Sequence, residues 1–170
     1  MNKLSDDQFY DAINSQDDLG LVIRAHIHIE HWIEQFLEAA LPQYEKYSKD
    51  LNADYETKVL LACIAGLHAD LKAPLSAFGK LRNRFAHRPN YKLSATDAEN
   101  IYSALSSHHK QQLQQAYQEL ADASKREVKV YSKLDAEAKL SLLAMLLRSM
   151  LKMACARVRG SKSFGLALKT

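Results

Sequence analysis

Three side chains that can transfer a proton or bind an anionic group lie close together in the sequence. Arg82, Asn83 and His87 place a guanidinium group, an amide and an imidazole within six residues. Histidine exchanges a proton near neutral pH, and arginine binds anionic groups through a planar fork of donors. Arg84 and Arg88 add two more cations beside them. These residue types indicate acid–base chemistry at a site that stabilises developing negative charge.

The apolar side chains of the same stretch recur at spacings of three and four, at Phe78, Leu81 and Phe85. This spacing predicts the buried face of a helix. Pro74 suits its first turn, and Pro89 ends it just after His87. His87 is five positions after Arg82, which corresponds to about 140° around a helix. We therefore expect the arginine and the histidine to flank the buried face without stacking on each other.

The hexapeptide Arg82-Asn-Arg-Phe-Ala-His87 resembles the signature of the HEPN superfamily, an arginine followed after about four to six residues by a histidine. Asn83 fits the polar residue that often follows the arginine. The resemblance implies a helical bundle that is commonly a homodimer, and for many members a metal-independent ribonuclease acting as a toxin or defence effector. The region from about Leu19 to Leu105 is similar to the mannitol-operon-repressor-like branch of such proteins.

Metal-free RNA cleavage needs three groups: a base for the 2′-hydroxyl, an acid for the leaving 5′-oxygen and a cation for the phosphorane. Histidine suits the first two roles and arginine the third, but one His87 cannot easily fill both. The resemblance implies that two copies of the motif meet across a dimer cleft, and that the products carry 2′,3′-cyclic phosphate ends. Asn83 would orient the imidazole or bind the phosphate, and Arg84 and Arg88 would hold the RNA backbone.

Two other interpretations of the motif stay open. An arginine and a histidine near a helix end often only pair with a carboxylate and cap carbonyl groups, which would seal the motif inside one subunit. A HEPN-like regulator of the mannitol-repressor-like type would instead use the same groove to bind protein or nucleic acid. The sequence shows no helix-turn-helix with a basic recognition helix, so we do not expect sequence-specific contacts with the bases of DNA. A catalytic pair predicts that Arg82 and His87 are reachable from solvent.

Composition predicts the fold class. The 170 residues include only five glycines and three prolines, which favours an all-α chain. We expect one HEPN-like bundle of about five to seven helices over residues 1–158, with a core at about 17–125. A long carboxyl-terminal helix follows at 136–158, and residues 159–170 are expected to form a basic flexible tail.

An earlier helix carries acidic and histidine side chains that suggest two roles. Either Glu30 or Glu34 is expected to pair with Arg82 and hold its guanidinium group in place. His28, His31 and Glu34 have a spacing that metal ligands can show, but no matched second cluster accompanies them. We therefore expect no metal site, and the sequence contains no glycine-rich phosphate loop or other motif that implies a cofactor.

The net charge of +3 is unevenly distributed, because residues 138–170 hold seven basic residues and no acidic one. The long carboxyl-terminal helix is apolar on nearly all sides over Leu140–Leu147, which suggests a subunit interface, while Arg148 interrupts any membrane span. Cys63 and Cys155 are expected to be reduced core residues. No apolar run follows Met1, so a cytoplasmic location without membrane contact is expected. An antitoxin or a regulatory protein is a further expected partner.

Overall fold

The computed structural model describes residues 7–9, 17–88, 90–123 and 130–167, and only the backbone of 162–167. The predicted all-α class is confirmed, since the described residues contain helices and no strand. Residues 7–9 are helical, and the later elements are α1 (Asp18–Ala40), α2 (Tyr44–Leu51), α3 (Tyr55–Ile64), α4 (Lys72–His87), α5 (Ala95–Ser103), α6 (Ser107–Ala123) and α7 (Ala136–Ala167). Short 3-10 turns at Ala69–Leu71 and Tyr131–Lys133 precede α4 and α7.

Side-chain caps begin several of these helices where the sequence places acidic or hydroxyl residues. Asp17 accepts a hydrogen bond from the Gly20 amide at 2.6 Å, and Asp135 accepts one from the Ala138 amide at 2.8 Å. Each bond satisfies a backbone donor that has no partner within the first turn. These caps place the starts of α1 and α7 at fixed positions in the chain.

The longest helix of the bundle is buried against the first. α7 packs along α1 more extensively than any other described pair of helices, and Leu140, Leu143, Leu147 and Leu151 are fully buried there. Leu142, Met145 and Leu146 of the same apolar run are only partly buried, so one side of the run packs within the subunit. A subunit interface on its other side stays a prediction.

The end of the carboxyl-terminal helix differs from the sequence-based boundary. α7 continues to Ala167, so the predicted boundary at residue 158 is too early, and residues 168–170 of the expected tail lie outside the described part. The residues after 158 include no proline, and the two glycines there, Gly160 and Gly165, each cost only about 1 kcal/mol in a helix. α3 ends at Ile64, where Gly66 adopts a positive φ of 103° and redirects the chain.

None of the helices within the described ranges is both long enough and apolar enough to cross a membrane.

α3 and α4 approach each other most closely at a glycine. A β-carbon built on Gly79 of α4 would lie 2.6 Å from a ring carbon of Tyr55, the first residue of α3. The Tyr55 ring cannot easily move away, because its hydroxyl donates to the Leu75 carbonyl at 3.0 Å. Its other side faces the His26 ring, with centroids 4.4 Å apart. Glycine at position 79 therefore lets the two helices pack in contact.

Replacing Gly79 with alanine should destabilise the fold although alanine is the better helix former. The added methyl group meets the clamped Tyr55 ring, and such overpacking typically costs about 1–3 kcal/mol. Gly160→Ala is the matched control, because nothing lies within 4 Å of the added carbon and the helix should gain about 0.5–1 kcal/mol. Urea unfolding of both variants measures the difference. Equal stability of the two variants would contradict the close contact at Gly79.

Candidate functional site

The predicted reactive side chains lie along one exposed arc of α4. At 100° per residue, Arg82, Ala86, Asn83 and His87 follow one another over about 140° of the helix surface. All four are exposed to solvent, whereas Phe78, Leu81 and Phe85 on the opposite side are buried in the core. Ala86 adds little bulk between Arg82 and His87. The arc is a shallow, accessible surface, as a catalytic or binding role requires.

Asn83 bonds to the arginine of the motif. Arg82 Nη1 donates to Asn83 Oδ1 at 3.0 Å, which reduces the freedom of the guanidinium group. The sequence-based expectation paired Asn83 with the His87 imidazole or with a phosphate. The structure instead uses the amide oxygen to position Arg82, and the amide nitrogen remains the part that can reach a ligand.

Helix α4 ends where the sequence predicts. His87 is its last residue, and Arg88 follows in an extended conformation. The imidazole therefore lies at the carboxyl end of the helix with free access from solvent. Arg88 is also exposed, and its guanidinium carbon lies 5.9 Å from the centre of the Tyr91 ring. Both groups are available to a ligand approaching this end of α4.

Arg84 has a structural role instead of the expected contact with substrate. Its Nη2 lies 2.9 Å from Oδ1 of Asp97, a carboxylate that is only 1% exposed. Asp97 also accepts bonds from the Tyr91 hydroxyl at 2.9 Å and from the Ser94 amide at 2.9 Å. Burial and the bond to Asp97 raise the pKa of Tyr91, so its hydroxyl stays a donor. Arg84 therefore joins α4 to the capped start of α5.

Glu30 and Glu34 are also arranged differently from the sequence-based expectation. Lys58 of α3 donates to Glu30 Oε1 at 2.7 Å and to Glu34 Oε1 at 2.6 Å. Burial opposes the charged form of Lys58, but these two bonds prevail and raise its pKa. The expected pairing with Arg82 is thus replaced by one that joins α1 to α3. A lysine on a neighbouring helix reaches both carboxylates because they are one turn apart on α1.

The pKa of a buried histidine, His26, is affected by the charge of Arg82 on the exposed arc. His26 of α1 is 3% exposed, between the Tyr55 and Phe78 rings. Burial lowers the pKa of its imidazole to about 4; Glu30 opposes this shift, and the positive charge of Arg82 adds to it. His26 is therefore neutral at pH 7, and its ring packs against Phe78 of the motif helix. The sequence does not indicate this packing, because His26 resembles the other histidines of α1.

The remaining histidines of α1 are packing residues. His28 is 4% exposed with its ring edge-on to Phe9, and His31 is 9% exposed beside Trp32. Burial lowers the pKa of both. Within the part of the chain that the structure describes, no three His, Cys, Asp or Glu side chains form a group that could hold a metal ion.

The chain matches no family model, no curated protein and no solved structure in the three comparisons made. The arrangement of the motif residues in this structure and their resemblance to the HEPN signature are therefore the basis for assigning a function.

Arg84→Ala should lower stability far more than Arg82→Ala, although both remove an arginine from the same helix. The first change leaves the buried Asp97 carboxylate without its cation, at a cost on the order of 2–4 kcal/mol. The second removes an exposed side chain and should change stability by less than about 0.5 kcal/mol. Urea unfolding measures both variants. A similar loss in the two would show that Arg84 does not anchor the helix.

Stability should fall as the solution is acidified from about pH 7.5 to about pH 5.5, in part because of His26. The unfolded chain protonates this histidine below about pH 6.5, while the folded chain keeps it neutral down to about pH 4. The unfolded state thus binds more protons in this window, and acid favours it by about 1 kcal/mol. His26→Gln should reduce the loss by about that amount in urea unfolding. An unchanged pH dependence in the variant would contradict this assignment.

Proposed function

We propose that this protein is a HEPN-like metal-independent endoribonuclease whose site combines Arg82 and His87 from two copies of the chain. The observation that supports this best is selective exposure. Arg82, Asn83 and His87 face solvent on one arc of α4, whereas the adjacent Arg84 is held by a buried carboxylate of the same subunit. A motif that served only to pair within one subunit would be sealed.

The proposed reaction is a transesterification followed by release of a cyclic product. The His87 imidazole of one copy takes the proton of the 2′-hydroxyl, and the 2′-oxygen attacks the phosphorus. The P–O5′ bond breaks, and the imidazolium of the second His87 gives its proton to the 5′-oxygen. Arg82 stabilises the additional negative charge on the phosphorane oxygens. The products are a 2′,3′-cyclic phosphate end and a free 5′-hydroxyl.

Helix geometry supports the requirement for two copies. Arg82 and His87 are separated by about 7.5 Å along the axis and about 140° around it, so their side chains diverge from a single helix. One copy also has one histidine for two proton transfers. If two arcs face each other about a two-fold axis, the histidine of one copy can meet the arginine of the other at one phosphate.

The resemblance also suggests the biological setting. A toxin or defence effector of this type would act on cytoplasmic RNA and would need an antitoxin or another regulatory protein to limit its activity. Arg88 is the remaining candidate for holding the RNA backbone, because it is exposed and a guanidinium group binds phosphate through two parallel bonds.

The second candidate function is a non-catalytic regulator that binds nucleic acid or protein through the same arc. One observation favours it: Asn83 bonds to Arg82, and this amide therefore does not orient the His87 imidazole. An arginine held in position beside an exposed histidine is sufficient for binding. A regulator of this kind would bind RNA or a protein partner with Arg82 and leave any bound RNA intact.

Purified protein should cleave RNA in the presence of EDTA, and Arg82→Ala and His87→Ala should each reduce the rate at least about a hundredfold. Each variant removes a group that acts in the transition state, and both positions are exposed, so folding should be preserved. Gel analysis of end-labelled RNA, with chemical identification of the cyclic phosphate, measures the reaction.

Lys49→Ala is the matched control for this experiment, because Lys49 is an exposed cation on a different helix, α2. It should retain nearly full activity. Cleavage that survives in both motif variants would exclude the proposed site. Tight RNA binding that requires Arg82, without cleavage of several RNA classes, would favour the regulator.

A further inference from the structure

A cavity of about 360 Å³ lies on another part of the molecule, between the turn before α4, the start of α6 and the second half of α7. None of the motif residues Arg82, Asn83 and His87 lines it. Its volume lies in the range of sites that hold small organic molecules. The cavity is therefore a candidate site that is separate from the proposed ribonuclease surface.

The inner wall of this cavity is apolar. Phe36 and Leu71 are almost completely buried, and Met150 is 7% exposed. Met153 also lines the cavity but is 56% exposed. An apolar body would be desolvated against this wall, and methionine side chains adapt readily to different shapes.

The opening of the cavity is polar and rich in groups that bind anions. Arg157 on α7 and His108 on α6 are exposed at the opening, together with His68. The exposed Asp70 carboxylate also lines the cavity, and the Asp70 amide donates to the His68 Nδ1 at 3.3 Å. Arg157, on α7, is the cation with which an incoming carboxylate or phosphate can pair.

One polar group of the cavity is buried without a partner in the fold. His109 is 9% exposed and lines the cavity, and its Nδ1 has no hydrogen-bond partner. Its ring lies edge-on to that of His68, with centroids 6.5 Å apart. Burial lowers the pKa of His109 despite the opposing effect of Asp70, so it offers a neutral imidazole. The Nδ1 is enclosed by the protein, so the other ring nitrogen, Nε2, is the one that can donate or accept a hydrogen bond with a ligand.

We infer that this cavity binds a small organic anion with an apolar body and a single carboxylate or phosphate group. The apolar body would lie against Phe36 and Met150, and the anionic group would pair with Arg157 at the opening. The neutral His109 would satisfy a polar atom of the ligand between these two ends. Because the cavity is separate from α4's exposed arc, this inference does not depend on the proposed ribonuclease activity.

Methionine methyl NMR of the full chain detects binding, since Met150 and Met153 line the cavity and Met145 does not. The same two methionines also line a neighbouring cavity of about 250 Å³ that Arg157 does not line, so the Arg157 variant below decides which cavity is occupied. The probes are 2-naphthoate, 2-naphthyl phosphate, 2-naphthalenemethanol and inorganic phosphate. The first two combine an apolar body with an anion, and the other two carry one feature each. We expect either or both of the naphthyl anions to shift the Met150 and Met153 signals in a saturable manner, and a comparison of their dissociation constants identifies the preferred anion.

Arg157→Gln should weaken binding of the preferred anion about tenfold, because it removes a charge-assisted bond. Arg159→Gln is the matched control: Arg159 bonds to Gln35 outside the cavity, so binding should be unchanged. The inference is overturned if neither naphthyl anion shifts the cavity signals selectively, if the naphthyl alcohol or inorganic phosphate binds equally well, or if the two arginine variants bind alike.

Discussion

The buried carboxylate of Asp97 is the group on which the arrangement of the motif helix depends. At 1% exposure, a carboxylate must have its charge and its oxygen atoms satisfied within the fold. Asp97 meets this requirement by pairing with Arg84, accepting from Tyr91 and closing a reciprocal cap with Ser94. The end of α4, the turn after it and the start of α5 are thereby fixed together. The position of the exposed arc is therefore fixed by the contact between Arg84 and Asp97 on the other side of α4.

This constraint divides the arginines of one short segment between different functions. Arg84 is immobilised by a buried charge, Arg82 is oriented by a neutral amide, and Arg88 remains beside an aromatic ring. A bound phosphate competes with no buried partner at Arg82 or Arg88, whereas at Arg84 it would have to break the link to α5. A substitution at Arg84 would therefore affect the stability of the fold, and one at Arg82 or Arg88 would affect contact with a ligand.

The sequence predicted what depends on local pattern and composition. The all-α class follows from composition, and the end of α4 at His87 follows from spacings and a turn residue within a few positions. The sequence did not reveal the partners of Arg84, Glu30 and Glu34. Each of these residues pairs with a residue on another helix, and the relative positions of the packed helices determine which residues meet. The spacing of Ser94 and Asp97 indicates a capping box, but capping residues are usually exposed, so this spacing does not predict that Asp97 is buried. Lys58 shows no comparable pattern, because lysines on helices generally face water.

The contact between Tyr55 and Gly79 has a consequence for access to the motif. α3 covers the face of α4 at Gly79 and begins there, while the chain before it turns away through Asn52 in a left-handed conformation, at φ 43°. Gly79 lies one helical turn before Asn83 on the same side of α4, so the start of α3 marks one edge of the exposed arc. The loop before α3, remote in sequence from the motif, is therefore close to it in the fold. Variation in this loop would change access to the arc and leave Arg82, Asn83 and His87 in place.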